Sequence, residues 1–171
     1  MKLILSDRPL PLELSGHPDV VCVDLTRLKI ANCVGCFSCW TKTPGRCVHP
    51  DDMNGALLKY VEADALIFSF PLYYFSLPSR LKLFLDRTLP LSLPVMTPDS
   101  PWGGHPLRDE RLLRKRMALI STCGFYTAEG NYDAVTACGA RATTPRCSAG
   151  RASCSAATRP TRSCSTWFRS A

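Results

Sequence analysis

Four of the ten cysteines lie between Cys33 and Cys47, at the spacing C-x2-C-x2-C-x7-C. Thiols placed two residues apart, as at Cys33, Cys36 and Cys39, can aim their sulfurs at one centre. The Pro44-Gly45 turn then brings Cys47 back to close the set. Thiolates at this density suit a cubane iron–sulfur cluster or a zinc ion. Unligated thiols are the third reading, because spacing alone over-assigns metal sites.

Other residues able to do chemistry stand where apolar runs break. Pro71-Leu72-Tyr73-Tyr74 ends the run Ala65 to Phe70, and Ser121-Thr122-Cys123-Gly124 ends the run from Met117. Aromatic and small polar residues at such breaks suit one planar ligand gripped by backbone groups. Trp40, next to Cys39, can shield a cluster or a ring edge, or simply cover apolar surface. His105, between Gly104 and Pro106, is a minor candidate for proton donation. Cys22, inside an apolar run, reads as a small buried hydrophobe. His17 and His49 read as exposed, and Asp86-Arg87 as a structural ion pair at a helix end. The sulfurs and the planar-ligand loops are expected to lie side by side at the mouth of one sheet.

The elements that must position these groups alternate. Lys2 to Ser6 and Val20 to Leu25 read as short buried strands, joined by a proline-rich loop without helical period. Asp51-Asp52 can cap a helix to about Ala63, with Met53, Leu57, Leu58 and Val61 on one face. Ala65 to Phe70 reads as a fully buried parallel strand. Ser76 to Thr88 reads as a helix capped by Ser76, with Pro78 in its first turn and a stripe of Leu77, Leu81, Phe84 and Leu85. A long Pro- and Gly-rich connection, 89–116, holds Trp102-Gly103-Gly104-His105 and ends in a basic run that reads as a solvated helix end. Met117 to Thr122 is a further buried strand, and a helix begins near Glu129. Strand–helix alternation implies right-handed crossovers and a doubly wound α/β parallel sheet.

A chain of 171 residues suits one domain with a substantial core. No apolar run reaches membrane-spanning length, and Met1-Lys2 opens directly into a strand, so neither a membrane span nor a signal peptide is expected. Ten cysteines in such a chain favour metal or redox chemistry in the cytoplasm over a secreted disulfide scaffold. The net charge of +7 does not indicate a nucleic-acid partner. Residues 138–171 carry six Arg and no Lys, Asp or Glu; 21 basic residues less these six leave 15 against 14 acidic. That tail also lacks Leu, Ile, Val and Met, and its four cysteines have no recognisable spacing. It reads as disordered, or as a GC-rich reading frame translated out of register, with the folded domain confined to 1–137.

The motif Cys-x-x-Cys-Phe-x-Cys-Trp, with Pro-Gly-x-Cys and Asp-Asp-Met, resembles the flavodoxin-like NADPH-dependent FMN reductases, including the iron–sulfur flavoproteins. Ser69-Phe70-Pro71-Leu72-Tyr73-Tyr74, Pro78, Lys82 and Asp86-Arg87 carry the same resemblance. It covers about residues 1–137 and is specific from Cys33 to Arg87. It implies a flavodoxin-like α/β/α sandwich binding FMN at the strand ends, usually as a homodimer that completes the flavin site. Pro71, Leu72, Tyr73, Tyr74 and Phe75 would form the loop beside the isoalloxazine ring. The stretch Ser121, Thr122, Cys123, Gly124, Phe125 and Tyr126 would form the second flavin-facing loop. Cys33, Cys36, Cys39 and Cys47 match the motif that holds a 4Fe–4S cluster in the iron–sulfur flavoproteins. The implied activity is oxidoreduction with NAD(P)H or a protein as donor and a cluster or an organic molecule as acceptor.

The chain departs from that pattern in three places. Ser6-Asp7-Arg8-Pro9-Leu10-Pro11 stands where the resemblance expects a Gly-Ser-x-Arg-type phosphate loop. The first crossover helix has no counterpart. The tail replaces the expected last strand and helix, which predicts a missing C-terminal edge strand and helical cover. The alternatives are a non-catalytic zinc-binding or scaffold protein on the same sheet, or a truncated, inactive relative.

Overall fold

A computed structural model of the chain describes residues 1–9, 16–98, 104–125 and 129–142, and the backbone of 153–155 and 164–169. Side chains are described as far as residue 137. The strands β1 (Lys2–Ser6), β2 (Val20–Asp24), β3 (Ala65–Pro71) and β4 (Arg116–Cys123) form the parallel part of the sheet, in the order β2-β1-β3-β4. Ile4 lies opposite Cys22 on one side and Ile67 on the other, and Ile67 in turn opposite Ala118. The parallel register explains why each strand is a short apolar run rather than a long alternating one.

The helices are α1 (Ser38–Thr41), α2 (Met53–Glu62), α3 (Ser79–Asp86) and α4 (Asp133–Ala142). Two 3-10 turns, Leu89–Leu91 and Glu110–Arg114, punctuate the long connection between α3 and β4. Its described part is an antiparallel arm, with bridges Ser92 to Leu107 and Thr97 to Gly104; Trp102 and Gly103 lie outside the described residues. Arg111 of the basic run pairs with Asp109 at 2.6 Å, as a solvated turn would.

The core sits on one face of the sheet. Leu3, Leu5, Val23, Leu66, Phe68 and Phe70 meet Met53, Leu57, Tyr60, Leu81, Phe84 and Val135 from the helices. The side chains between them in sequence, Ile67, Ala118 and Ile120, point to the other face and are only half-buried. On α2 the buried stripe is Met53, Ala56, Leu57 and Tyr60, whereas Leu58 is 65% exposed, so the helix is rotated from the expected stripe. The helix after Pro71 starts at Ser79, with Pro78 rather than Ser76 at its cap, because Ser76 is bonded back to Tyr73 in a turn.

Beyond β4 the sheet does not end, contrary to the missing edge strand expected from the tail. β6 (Cys164–Arg169) pairs antiparallel with β4, and β5 (Ser153–Ser155) with β6. The edge is covered by antiparallel ribbon rather than a parallel strand, which answers the exposed-edge problem by other means. Among the described residues no helix follows Ala142 and none joins β1 to β2. None of their helices is long and apolar enough to cross a membrane.

Candidate functional site

The cysteine segment is held between β2 and α2 by its flanks. Asp52 accepts from the Lys29 amide at 2.7 Å and returns its own amide to the Lys29 carbonyl at 3.1 Å. Asp51 accepts from the Ala31 amide at 2.9 Å and the Met53 amide at 3.1 Å. Asn54 brackets the far end, donating to the Cys47 carbonyl and accepting from the Cys47 amide, both at 3.1 Å. The Asp-Asp-Met-Asn start of α2 thus clamps both ends of the thiol segment; only the Asp51 bond to Met53 serves as a local cap.

Within the segment, positive-φ residues bend the chain around the thiols. Gly35 has φ of 64° and Phe37 of 52°, left-handed conformations that reverse the chain between Cys33 and Cys39. Gly45, at φ 82°, donates to the Cys39 carbonyl at 3.0 Å and carries the chain back toward Cys47. The result is one recess whose wall includes Cys33, Cys36, Cys39 and Cys47, with His49 and Arg87 beside them. His49 is therefore part of the recess, not a solvated surface residue. Cys33 and Cys36 are exposed, Cys47 is intermediate and Cys39 is buried.

The electrostatics separate the thiols. Hydrogen bonds from the Ser38 hydroxyl and amide hold Cys36 below the ordinary thiol value. Burial pushes Cys39 up, and the neighbouring Cys47, Cys33 and Cys36 add to the rise. Arg87 forms the back wall. It pairs with Asp51 at 2.8 Å, while Asp86 pairs with Lys82 at 2.6 Å, so the expected Asp86-Arg87 ion pair is not made. Burial opposes the guanidinium charge, but Asp51 and Cys47 outweigh it and raise the Arg87 pKa.

Whether this recess fits a metal group turns on its donors. Among the described residues no three His, Cys, Asp or Glu groups converge closely enough for a single ion, which removes the geometric support for zinc. A cubane spreads its ligands over separate corners, so four thiols around one recess remain suited to it. Arg87 Nε, buried in the same wall without a hydrogen-bond partner, is the kind of donor that a sulfur-held cluster satisfies.

A second site lies at the carboxyl ends of the strands. The Leu72 amide donates to the Thr122 carbonyl at 2.7 Å, and Phe75 stacks on Phe125 at 5.3 Å and 15°. Arg8, just past β1, donates to the Tyr73 hydroxyl at 2.5 Å. Loops after β1, β3 and β4 therefore meet at one mouth. Tyr73, Tyr74 and Phe75 are 48%, 95% and 47% exposed and give it an aromatic wall. Tyr74 and Phe75 both have positive φ, 47° and 59°, so this turn is conformationally strained. Ser121 and Cys123 are buried, leaving Thr122, Gly124 and Phe125 as the outward residues of the second loop; Tyr126 lies outside the described residues.

The Phe75–Phe125 stack was not read from the sequence, although Phe125 follows Gly124 at the strand end and signals it. At the β1 end, burial pushes the Asp7 carboxyl up against the pull of Arg80 and Arg8, and Asp7 Oδ1 has no partner. The aromatic wall suits a flat heterocycle; the β1 end offers a phosphate Arg8 but also Asp7.

The recess and the mouth have separate linings. None of the described recess wall comes from 71–75 or 121–125. The recess lies past the C-terminus of α3 and the mouth before its N-terminus, and its eight residues span roughly 12 Å. Trp40 belongs to the recess side: it stacks on Phe37 at 5.2 Å, packs on His105 at 4.8 Å and donates to the Leu89 carbonyl. His105 Nδ1 faces the Leu93 and Val95 carbonyls at 2.9 and 3.0 Å, which fixes the ring against Trp40.

Comparison with known proteins agrees with this architecture. The family profile described as flavodoxin-like fold matches residues 13–143. An iron–sulfur flavoprotein of Archaeoglobus fulgidus is 40% identical over 79 residues, 46% of this chain and 34% of the relative. An iron–sulfur flavoprotein of Methanocaldococcus jannaschii is 34% identical over 71 residues, 42% of this chain and 36% of the relative. The human ribosyldihydronicotinamide dehydrogenase (quinone) is 37% identical over 78 residues, 46% of this chain and 31% of the relative. The matches thus span about a third of the length of these relatives. With a parallel β2-β1-β3-β4 sheet, an aromatic mouth at its strand ends and this profile over most of its length, the chain belongs to the flavodoxin-like fold family.

Proposed function

We propose that this chain is an FMN-dependent oxidoreductase of the NAD(P)H reductase or iron–sulfur flavoprotein type, acting in the cytoplasm. The observation that carries the reading is the aromatic mouth. Two loops from adjacent parallel strands are joined by the Leu72–Thr122 hydrogen bond and the Phe75–Phe125 stack. Tyr73, Tyr74 and Phe75 would flank the flavin ring, and the backbone of 71–75 and 121–125 would bond its polar edge. Bound there, FMN would supply hydride and electron transfer between a nicotinamide and an acceptor. Arg8 would hold Tyr73 in place and offer a positive charge to an anionic end of the ligand.

The cysteine recess would hold a 4Fe–4S cluster through Cys33, Cys36, Cys39 and Cys47. The six described cysteines are all free, which accords with a reducing compartment. A homodimer is part of the same reading. Val34 and Phe37, in the recess wall, are 68% and 50% exposed and would offer apolar surface to a second copy. Nothing in the charge distribution calls for nucleic acid.

Absorption spectra of protein prepared without oxygen test the reading, since flavin and cluster have different visible bands. Flavin uptake with or without iron–sulfide bands is the expected result. Protein that stays colourless after anaerobic reconstitution with FMN, iron and sulfide would overturn it.

A further inference from the structure

Arg87 is 1% exposed, and among the described residues no other charged side chain is buried as deeply. Its Nη1 donates to the Ala31 carbonyl at 2.5 Å and to Asp51 Oδ2 at 2.8 Å; its Nη2 donates to Asp51 Oδ1 at 3.0 Å. The carboxylate occupies the Nη1–Nη2 edge and leaves the Nε edge free. Nε is buried and has no hydrogen-bond partner. Buried donors are normally satisfied, so an ion pair with Asp51 does not by itself account for an arginine here. The same side chain forms part of the recess wall that holds the four thiols, and Cys47 in that wall helps raise the Arg87 pKa.

We propose that Arg87 is the positioning residue of the cysteine recess: its Nη1 and Nη2 lock the thiol segment to α2, and its Nε–H serves a negatively charged sulfur held at Cys47. The proposal rests on the four-thiolate reading above. Ala31 and Asp51 lie at the two flanks of the thiol segment, so one guanidinium fixes the spacing between them. Four thiolates concentrate negative charge, and a cation fixed in the wall favours both their assembly and the more reduced, more negative state of a group they hold. Lysine would supply the charge without the planar fork.

The test uses the full chain with R87K and the double variant D51N/R87M. R87K keeps the cation and lacks Nε–H; the double variant removes both charges, so neither is left buried alone. Thermal melts establish folding. Chain reconstituted anaerobically with ferrous iron and sulfide is titrated for its midpoint potential. Metal-free chain is titrated with cadmium(II) alone, which a pair of thiolates can bind without all four converging on one ion, followed by thiolate charge-transfer absorption.

The expected result is roughly tenfold weaker cadmium binding in both variants. The reduction equilibrium of the double variant should shift roughly tenfold toward the oxidised form, about 59 mV for a one-electron couple. Wild-type affinity and potential in folded variants overturn the role of Arg87 and leave the four-thiolate reading standing. Weakened cadmium binding in a chain that takes up no cluster overturns the cluster and keeps Arg87. A wild-type chain that binds neither overturns both. Failure of both variants to fold makes Arg87 a structural residue and overturns the proposal.

Discussion

Asp51 and Arg87 show how much a single pair carries. The Asp51 carboxylate takes two backbone amides and both ends of the Arg87 fork, with side-chain exposures of 10% and 1%. Removing one partner of such a pair leaves the other charge stranded, which costs about 3–5 kcal/mol. We expect Asp51→Ala at the lower end, about 3 kcal/mol, because the carboxylate keeps some contact with water; urea denaturation measures it. Burial pushes the Asp51 carboxyl up, but Arg87 and the Ala31 and Met53 amides outweigh it and hold it below 3.8. A depressed folded value stabilises the fold above the unfolded pKa, about 3.9, and that contribution disappears as pH falls through the folded value. Stability should therefore drop below about pH 4 in the wild type, and Asp51→Asn should show a flatter acid limb in denaturation series across that range. The cysteine spacing was legible in the sequence because four thiols are a local pattern. The Arg87 partner was not, because Asp51 lies 36 residues away and the adjacent Asp86 is the obvious candidate.

At the scale of elements, the strands were legible because each is an apolar run closed by a breaker. Pro71 after Phe70 and Gly124 after Cys123 mark where two of them deliver the chain to the mouth. The caps were read only in part: Asp51 does accept from the Met53 amide at the start of α2. Asp52 has no side-chain cap bond to its helix and accepts from Lys29 instead, a tertiary use of a residue with a strong local preference. The turn after β3 is the element whose backbone departs furthest from what its residues favour. Tyr74 and Phe75 are both left-handed, and such a conformation costs a non-glycine residue about 1 kcal/mol or more. Tyr74 is 95% exposed and touches little but the edge of Phe75, so strain there is not repaid by packing in the free chain. Tyr74→Gly should therefore melt at or slightly above the wild-type temperature. Flavin uptake, followed by fluorescence quenching, should weaken several-fold as one aromatic face is lost. A Tyr74→Gly chain that melts well below wild type would show that the side chain packs in the folded protein and would remove the functional account of the turn.

Among the described residues the sheet carries its main core on one side, although Ile4 on the other is also buried. Phe68 is 3% exposed and packs in the core, while its neighbour Ile67 points to the other face and is half-buried. This asymmetry follows from the chain order: α2, α3 and α4 each contribute buried residues to the same core, and no described helix joins β1 to β2. The tail's antiparallel ribbon was not read from the sequence: residues 138–171 contain no Val, Ile or Leu, and Thr166-Trp167-Phe168 is too short a strand-favouring run to mark one alone. Truncating the two faces should read the difference directly. Phe68→Ala should cost about 3–5 kcal/mol, as deletion of a buried aromatic does. Ile67→Ala should cost less than about 1.5 kcal/mol, because a half-exposed side chain leaves no closed cavity. Equal losses in urea denaturation would mean that the second face is as fully packed as the first, and the one-sided architecture would have to be abandoned.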